Sequence, residues 1–235
     1  MRKMLERVFS FLRLNKKTRL PTRKGWHKPR AQSLVEFAIT LPIILILLSG
    51  MIEFGFLLNT YLSIQDAART TARRYSTTNP YNPDGTDNPV FYQDTAQYIV
   101  ELLAPSGDPA SRQIAMDPTR DNILVSLIGI EVDESTTPDS IATITRHSGG
   151  LYYKHYSDTD PPTAYSDERI EELMTANGAE PSDAGLLIIE IYYSYEGTLN
   201  LPWTLPFFSP SRPSMLYISV VMPTIYAKPL DSTTP

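Results

Sequence analysis

The chain contains 235 residues, of which 42% are hydrophobic and none is cysteine, and its formal net charge is -5. This length suits one ordinary domain with a short additional segment. The lack of cysteine excludes a disulfide framework, a thiolate metal site, an iron–sulfur cluster and a cysteine nucleophile. The chain has three histidines, His27, His147 and His155. Because so few ligands are available, we expect no metal and no cofactor.

Charge is distributed very unevenly along the chain. Residues 1–30 hold eleven Lys and Arg against one acid, a net charge of +10, whereas residues 31–235 hold ten against twenty-five acids, a net charge of -15. The first segment is therefore predicted to be a basic cytoplasmic tail. Because it directly precedes an apolar stretch, anionic lipid headgroups suit it better than nucleic acid does, and we expect no nucleic-acid partner.

The apolar stretch covers residues 37–52, sixteen residues without a charge, and it resumes after Glu53 as far as residue 62. Sixteen helical residues span about 24 Å and the bilayer core is about 30 Å thick, so the continuation completes a membrane span. The positive-inside rule then places the N-terminus in the cytoplasm and the C-terminus outside. Two alternatives are a core helix of a soluble protein and a cleaved secretory signal, but the basic flank and the absence of a small-x-small site favour a retained span.

Helical spacing continues beyond the apolar stretch, with no Gly or Pro between residues 56 and 79. One helix is therefore predicted over about 33–75, mildly kinked near Pro42. Its outer half carries an Ala-rich stripe that suits packing against a domain or a neighbouring helix. The residues recurring at this spacing are Leu58, Tyr61, Leu62, Gln65, Ala68 and Ala72.

The remainder, residues 76–235, is predicted to be an extracytoplasmic α+β domain that begins with a turn-rich segment at 79–89. Its pattern predicts a small antiparallel sheet with short helices against one face. A proline-rich loop at 199–213 should expose Trp203, Phe207 and Phe208. The predicted helices are 91–103 and 169–174, and the predicted strands are 123–132, 141–146, 186–195 and 215–226.

The segment around the apolar stretch resembles the N-terminal signature of TadE-like proteins, the pseudopilins of the Tad (Flp) pilus system. The resemblance covers about 45 residues, roughly a fifth of the chain. Its elements form an ordered set after a basic stretch: Ala31, Glu36-Phe37-Ala38, Leu41-Pro42, Glu53, and Ala67-Ala68-Arg69 through Ala72-Arg73.

The resemblance implies a membrane-inserted, pilin-like fold and a non-catalytic role as a minor pilin or assembly component of a Tad/Flp-type pilus. It implies as partners the lipid bilayer, other pilin-like subunits, pilus assembly proteins and a prepilin peptidase. That peptidase normally cleaves after a glycine, and Ala31 occupies this position here. Cleavage would make Gln32 the first residue and Glu36 the fifth, and both a cleaved and an uncleaved chain remain open.

Two acids interrupt or border the apolar stretch. Glu36 lies at its inner edge, where it either sits at headgroup depth or pairs with a cation such as the N-terminal ammonium of a neighbouring subunit. Glu53, seventeen residues later, is also a candidate for pairing, but it lies roughly 100° away around the helix axis and so shares no face with Glu36. Ser49, Gly50 and Gly55 would allow another helix to approach closely.

Catalytic motifs are not evident after the apolar stretch, so we expect no enzyme activity. The alternative function is a membrane-tethered extracellular binding or adhesion domain. Four tyrosines favour it, because tyrosine offers a large contact area: Tyr152, Tyr153, Tyr156 and Tyr165. Glu36 favours the pilin-like reading, since a tethered receptor has no need for an acid at that depth.

Overall fold

The computed structural model describes residues 29–105, 114–133, 135, 140–148, 150–176 and 183–226. The basic tail, apart from its last two residues, and the C-terminal residues from 227 onward lie outside these ranges, as do the predictions made for them. The chain divides into two compact units with their boundary between Ile46 and Leu47. One helix, α1 (Pro29–Tyr75), contributes to both units.

The first helix is 47 residues long and continues through Pro42 without interruption. It begins four residues before the predicted start and ends at the predicted residue. Every side chain from Ser33 to Leu48 is exposed. The helix is long and apolar enough to span a membrane, and only 6% of its most apolar window is buried within the protein. A core helix of a soluble protein would bury this window, so the exposure favours lipid as its surroundings.

The outer half of α1 packs against the sheet along a stripe of small and aliphatic side chains. Ile64, Ala68 and Ala72 are fully buried in the larger hydrophobic cluster. The predicted stripe is correct for the alanines but wrong for Leu58 and Leu62, which are exposed. The buried side chains of this stripe pack into the cluster, and the two leucines lie on a different face of the helix.

A five-stranded antiparallel sheet forms the centre of the described part of the domain, in the order β2-β1-β4-β5. Strands β2 and β3 share the outer edge of β1: β3 pairs with Leu124 and Val125, and β2 with residues 128–133. A register shift between Glu131 and Val132 marks a β-bulge. The strands are β1 (Asn122–Asp133), β2 (Ser140–Arg146), β3 (Tyr153–Lys154), β4 (Ala184–Tyr195) and β5 (Ser214–Thr224).

Both faces of the sheet are covered. On one face, α1 and α2 (Pro89–Leu103) pack against Ile189 and its neighbours. On the other face, Ile170 of α3 (Asp167–Met174) packs against Ile188. The prediction that helices cover one face is therefore wrong. The reason is that β1 and β4 are apolar at nearly consecutive positions, a pattern typical of strands buried on both sides.

The remaining predicted helices and strands are confirmed, with boundaries that differ by one or two residues. The 199–213 loop exposes Trp203 and Phe207 as predicted, but Phe208 is half-buried because its ring packs against Tyr195. Helix α2 begins with Asn88, whose side chain accepts the Val90 N–H, followed by Pro89 at the first helical position. The two-residue strand β3 was not predicted, because its pairing to β1 depends on a long connection rather than on local pattern. The α+β class is confirmed.

Candidate functional site

The most informative polar group in the described structure is the carboxylate of Glu53 on α1, whose side chain is 1% exposed. Its Oε1 accepts hydrogen bonds from the Tyr195 hydroxyl at 2.7 Å and from the Thr198 backbone N–H at 2.6 Å. Its Oε2 accepts the Leu199 N–H at 2.8 Å. We call these four residues the Glu53 cluster. It joins the helix to the loop that follows β4.

The cluster stabilises a buried acid with hydrogen-bond donors instead of a cation. Among the described residues, no Lys, Arg or His forms an ion pair with Glu53. Burial of a carboxylate is costly unless its oxygens are hydrogen-bonded, and bonds to a charged acceptor are stronger than neutral ones. Two of the donors are successive N–H groups of one turn, an arrangement that suits anions. The arrangement holds the carboxylate in place between α1 and the loop after β4.

Gly197 shapes the turn that carries these donors. Its φ of 88° lies in the left-handed region, which residues with a side chain rarely adopt. A Cβ at this position would lie 3.0 Å from the Phe208 Cβ and 3.3 Å from the Glu53 Oε1. The glycine therefore serves two purposes, since it permits the backbone conformation and leaves room for the carboxylate.

Charged groups next to the cluster hold the surrounding loops together. Arg120 forms ion pairs with Glu196 and, at 2.8 Å, with Asp117, and its Nη1 donates to the Pro210 carbonyl at 3.3 Å. Hydrogen bonds from Thr119, together with Arg120, lower the pKa of Asp117 to about 2. The turn before β1 and the connection between β4 and β5 are thereby tied together by one guanidinium.

Asp121, directly before β1, fixes the backbone at the end of β4. Its Oδ1 accepts the Ser194 N–H at 2.7 Å and its Oδ2 accepts the Asp117 N–H at 2.8 Å. Burial raises the pKa of Asp121 in spite of these bonds. The residue directly before Tyr195 is therefore positioned by a second buried carboxylate.

The outer half of α1 is hydrogen-bonded to the sheet at two ends. Glu53 contacts Tyr195, which pairs with Ser214 at the start of β5. Just after the helix, the Ser76 carbonyl accepts the Thr224 hydroxyl at 2.7 Å, at the end of β5. The helical distance between these contacts is about 34 Å and the strand distance is about 33 Å, so the helix runs along the strand.

The other predicted site residues lie in the first turns of α1. Glu36 is exposed, and its backbone carbonyl accepts the Thr40 hydroxyl at 2.8 Å. Ala31 and Gln32 are helical. No described group distinguishes a cleaved from an uncleaved chain, so the roles proposed for these residues in processing and assembly stay predictions.

Sequence reasoning singled out Glu53 but missed its partners. Glu196-Gly197-Thr198, a turn signal directly after a strand, is the one local indication of a special backbone here. Ser49 accepts a hydrogen bond from the Trp203 indole N–H at 2.8 Å, so a loop of the same chain approaches it. A Cβ at Gly50 or Gly55 would meet nothing within 4 Å.

The tyrosines and histidines of the 147–165 region serve internal contacts. The Tyr152 hydroxyl donates to the Pro161 carbonyl at 3.0 Å, and the Tyr165 hydroxyl to the Ser219 hydroxyl at 3.0 Å. Within the described ranges no group of three or more His, Asp or Glu is placed to hold a metal ion. Tyr152 and Tyr165 are half-buried and their hydroxyls are hydrogen-bonded within the domain, so they give little support to the alternative of a separate ligand-binding surface.

Comparison with known proteins identifies the helical segment. Residues 31–73 match the family model described as TadE-like protein. No curated protein and no solved structure matches the chain. The match lies entirely within α1 and includes Glu36 and Glu53, and it supports a pilin-like protein associated with the Tad pilus and anchored in a membrane. The resemblance to TadE-like proteins seen in the sequence is therefore confirmed for residues 31–73.

Proposed function

We propose that the protein is a minor pilin or assembly component of a Tad/Flp-type pilus, and that it has no catalytic activity. The observation that carries this proposal is the coincidence of the TadE-like match with one continuous helix. The helix exposes an apolar first half and packs its second half into an α+β domain. A membrane-anchored helix joined to a small sheet agrees with the pilin-like architecture that the resemblance implies.

The proposed topology has three parts. Residues 1–30 form a basic tail in the cytoplasm, residues 31–75 the transmembrane and extended helix, and residues 76–235 a domain outside the cytoplasmic membrane. The charge difference between the first segment and the rest supports this orientation. The apolar stretch lies in the membrane. There the protein contacts other pilin-like subunits and assembly proteins. If the leader is removed, a prepilin peptidase cleaves after Ala31.

Deletion of the gene and complementation test this function. We expect the deletion strain to lose its pili, the wild-type gene to restore them, and Glu36→Ala to restore them poorly although the protein reaches the membrane. Glu101→Ala, at an exposed acid on α2, is the matched control and should restore piliation. Unchanged piliation in the deletion strain contradicts the proposal.

The alternative is a membrane-tethered binding domain outside the cell. It predicts normal pili in the deletion strain and a ligand for the domain. Co-purification separates the two, because a pilus component should be recovered with sheared pili or with the assembly machinery after detergent extraction. Intact mass of the membrane form shows in the same preparation whether residues 1–31 are retained.

A further inference from the structure

Residues 201–208, which we call the Trp203 loop, present apolar side chains to the surroundings. Trp203 is 40% exposed, Leu205 39% and Phe207 68%. Contiguous exposed apolar side chains on a folded surface mark a protein or membrane contact. Tryptophan is enriched where a membrane meets water, and phenylalanine and leucine occur on the apolar face of segments that lie in the interface.

Most backbone N–H groups of the loop are hydrogen-bonded within it, which lowers the cost of entering a medium of low polarity. The Leu205 N–H donates to the Leu201 carbonyl at 3.1 Å, and the Phe207 and Phe208 N–H groups donate to the Thr204 carbonyl at 3.0 and 2.9 Å. The Thr204 hydroxyl is buried and also donates to the Leu201 carbonyl. Prolines at positions 202 and 206 contribute no N–H that would need a partner.

The loop is attached to α1 where the uncharged stretch ends. The Trp203 indole N–H donates to the Ser49 hydroxyl at 2.8 Å, within the uncharged residues 37–52. One helical turn later, Glu53 binds the Thr198 and Leu199 N–H groups just before the loop. These contacts fix the position of the loop along the helix at residues 49–53, where the uncharged stretch 37–52 ends.

The charge of this region differs from that of the rest of the domain. From residue 198 to residue 226 the chain has no acid and one cation, Arg212, although residues 31–235 together hold twenty-five acids. Arg212 is exposed at the end of the loop region. A segment without acids and with one exposed cation is compatible with anionic headgroups, which would repel the acid-rich remainder of the domain.

We propose that the Trp203 loop is a second membrane contact, in which Trp203, Leu205 and Phe207 enter the headgroup region of the leaflet from which α1 emerges. The inference rests on the membrane anchoring in the proposed function. Its consequence is that the domain is held against the bilayer by the helix and the loop together, so its tilt relative to the membrane is restricted.

Tryptophan fluorescence of the full chain in vesicles tests this contact. The chain has two tryptophans, so Trp26→Phe leaves Trp203 as the single reporter. The vesicles contain phosphatidylethanolamine and phosphatidylglycerol with brominated acyl chains, which quench a tryptophan in or next to the lipid. Two controls in a Trp26→Phe, Trp203→Phe background carry the reporter elsewhere: Leu45→Trp in the apolar stretch, and Ile225→Trp, 80% exposed at the far end of β5.

We expect Trp203 emission to shift to shorter wavelength and lose intensity in brominated vesicles, as Leu45→Trp does, whereas Ile225→Trp loses none and remains open to aqueous iodide. If Leu45→Trp is quenched and Trp203 responds like Ile225→Trp, the loop contact is wrong and the anchoring stands. If Trp203 is shielded from both bromine and iodide, a neighbouring protein covers the loop and the lipid contact is wrong. If Leu45→Trp itself is not quenched, the anchoring and the proposed function fail together.

Discussion

The Glu53 carboxylate accepts a hydrogen bond from the Tyr195 hydroxyl at 2.7 Å, although 142 residues separate the two in the chain. Glu53 lies on α1, directly after the uncharged stretch, and Tyr195 is the last residue of β4. The contact closes the domain onto its helix at the end nearest the apolar stretch. An acid that interrupts a membrane-type sequence is thus explained by the fold of the domain.

Replacing the carboxylate tests how much the cluster contributes to stability. Glu53→Gln keeps the size of the side chain but removes the charge and one acceptor oxygen, so donors of the loop lose their partners. Each lost charged or buried hydrogen bond costs about 1–3 kcal/mol, and we expect the free energy of unfolding to fall by about 3 kcal/mol. Denaturant unfolding of the full chain in detergent measures it. Glu36→Gln is the matched control, and an equal loss in both variants contradicts the assignment.

A double-mutant cycle isolates the contact between Glu53 and Tyr195. Tyr195→Phe removes a hydroxyl and leaves the ring packed edge-on against Phe208, with ring centroids 5.6 Å apart. Because the two side chains share one hydrogen bond, the double variant should be about 1–2 kcal/mol more stable than the sum of the single losses predicts. Strictly additive losses would show that the two side chains act independently.

Gly197→Ala should destabilise the domain, because alanine is strained at the left-handed φ and its Cβ would press on Phe208 and on the Glu53 carboxylate. The backbone strain alone costs about 1–2 kcal/mol. Gly150→Ala is the matched control, since a Cβ there meets nothing within 4 Å. Thermal unfolding compares the two variants, and equal melting temperatures would contradict the role assigned to Gly197.

Acid should destabilise the domain through His155. Burial lowers the pKa of this imidazole below the ordinary 6.5, and its Nδ1 has no hydrogen-bond partner among the described residues. The unfolded chain therefore binds a proton more readily than the folded one, so this contribution is complete above about pH 6.5 and is lost as the pH falls below it. Unfolding midpoints between about pH 7 and about pH 5 measure the slope.

His155→Gln should reduce this slope, because glutamine does not titrate. His147 provides the control, because its contact is with a different group: its Nδ1 lies 3.4 Å from Asp87. His147→Gln should therefore leave the contribution of His155 in place. A slope that persists in full after His155→Gln would assign the acid sensitivity to other groups.

Much of the fold could be predicted because its signals are local. The uncharged stretch and the helical spacing after it define α1, and the helical spacing over 91–103 predicts α2. Strands β1 and β4 stand out as apolar, β-branched runs. Their continuity also contained the sign that both faces are buried, which the one-face prediction overlooked.

The candidate site could be predicted only in part. Glu53 is visible in the sequence as an acid in an apolar segment, but its donors come from a turn 145 and 146 residues away. Which face of α1 meets the sheet was equally hidden, since Leu58 and Ala68 fit one helical pattern while only the alanine is buried. Long-range contacts of this kind depend on the pairing of the strands and leave little trace in local spacing.

Limited proteolysis of spheroplasts, followed by membrane fractionation, tests the central claim that α1 holds the domain outside the cytoplasmic membrane. We expect added protease to degrade the sheet domain while a short N-terminal fragment containing residues 37–52 stays in the membrane pellet. A cytoplasmic marker protein must remain intact in the same sample. Recovery of the full chain in the soluble fraction, or a domain that resists protease until the cells are lysed, would contradict the account.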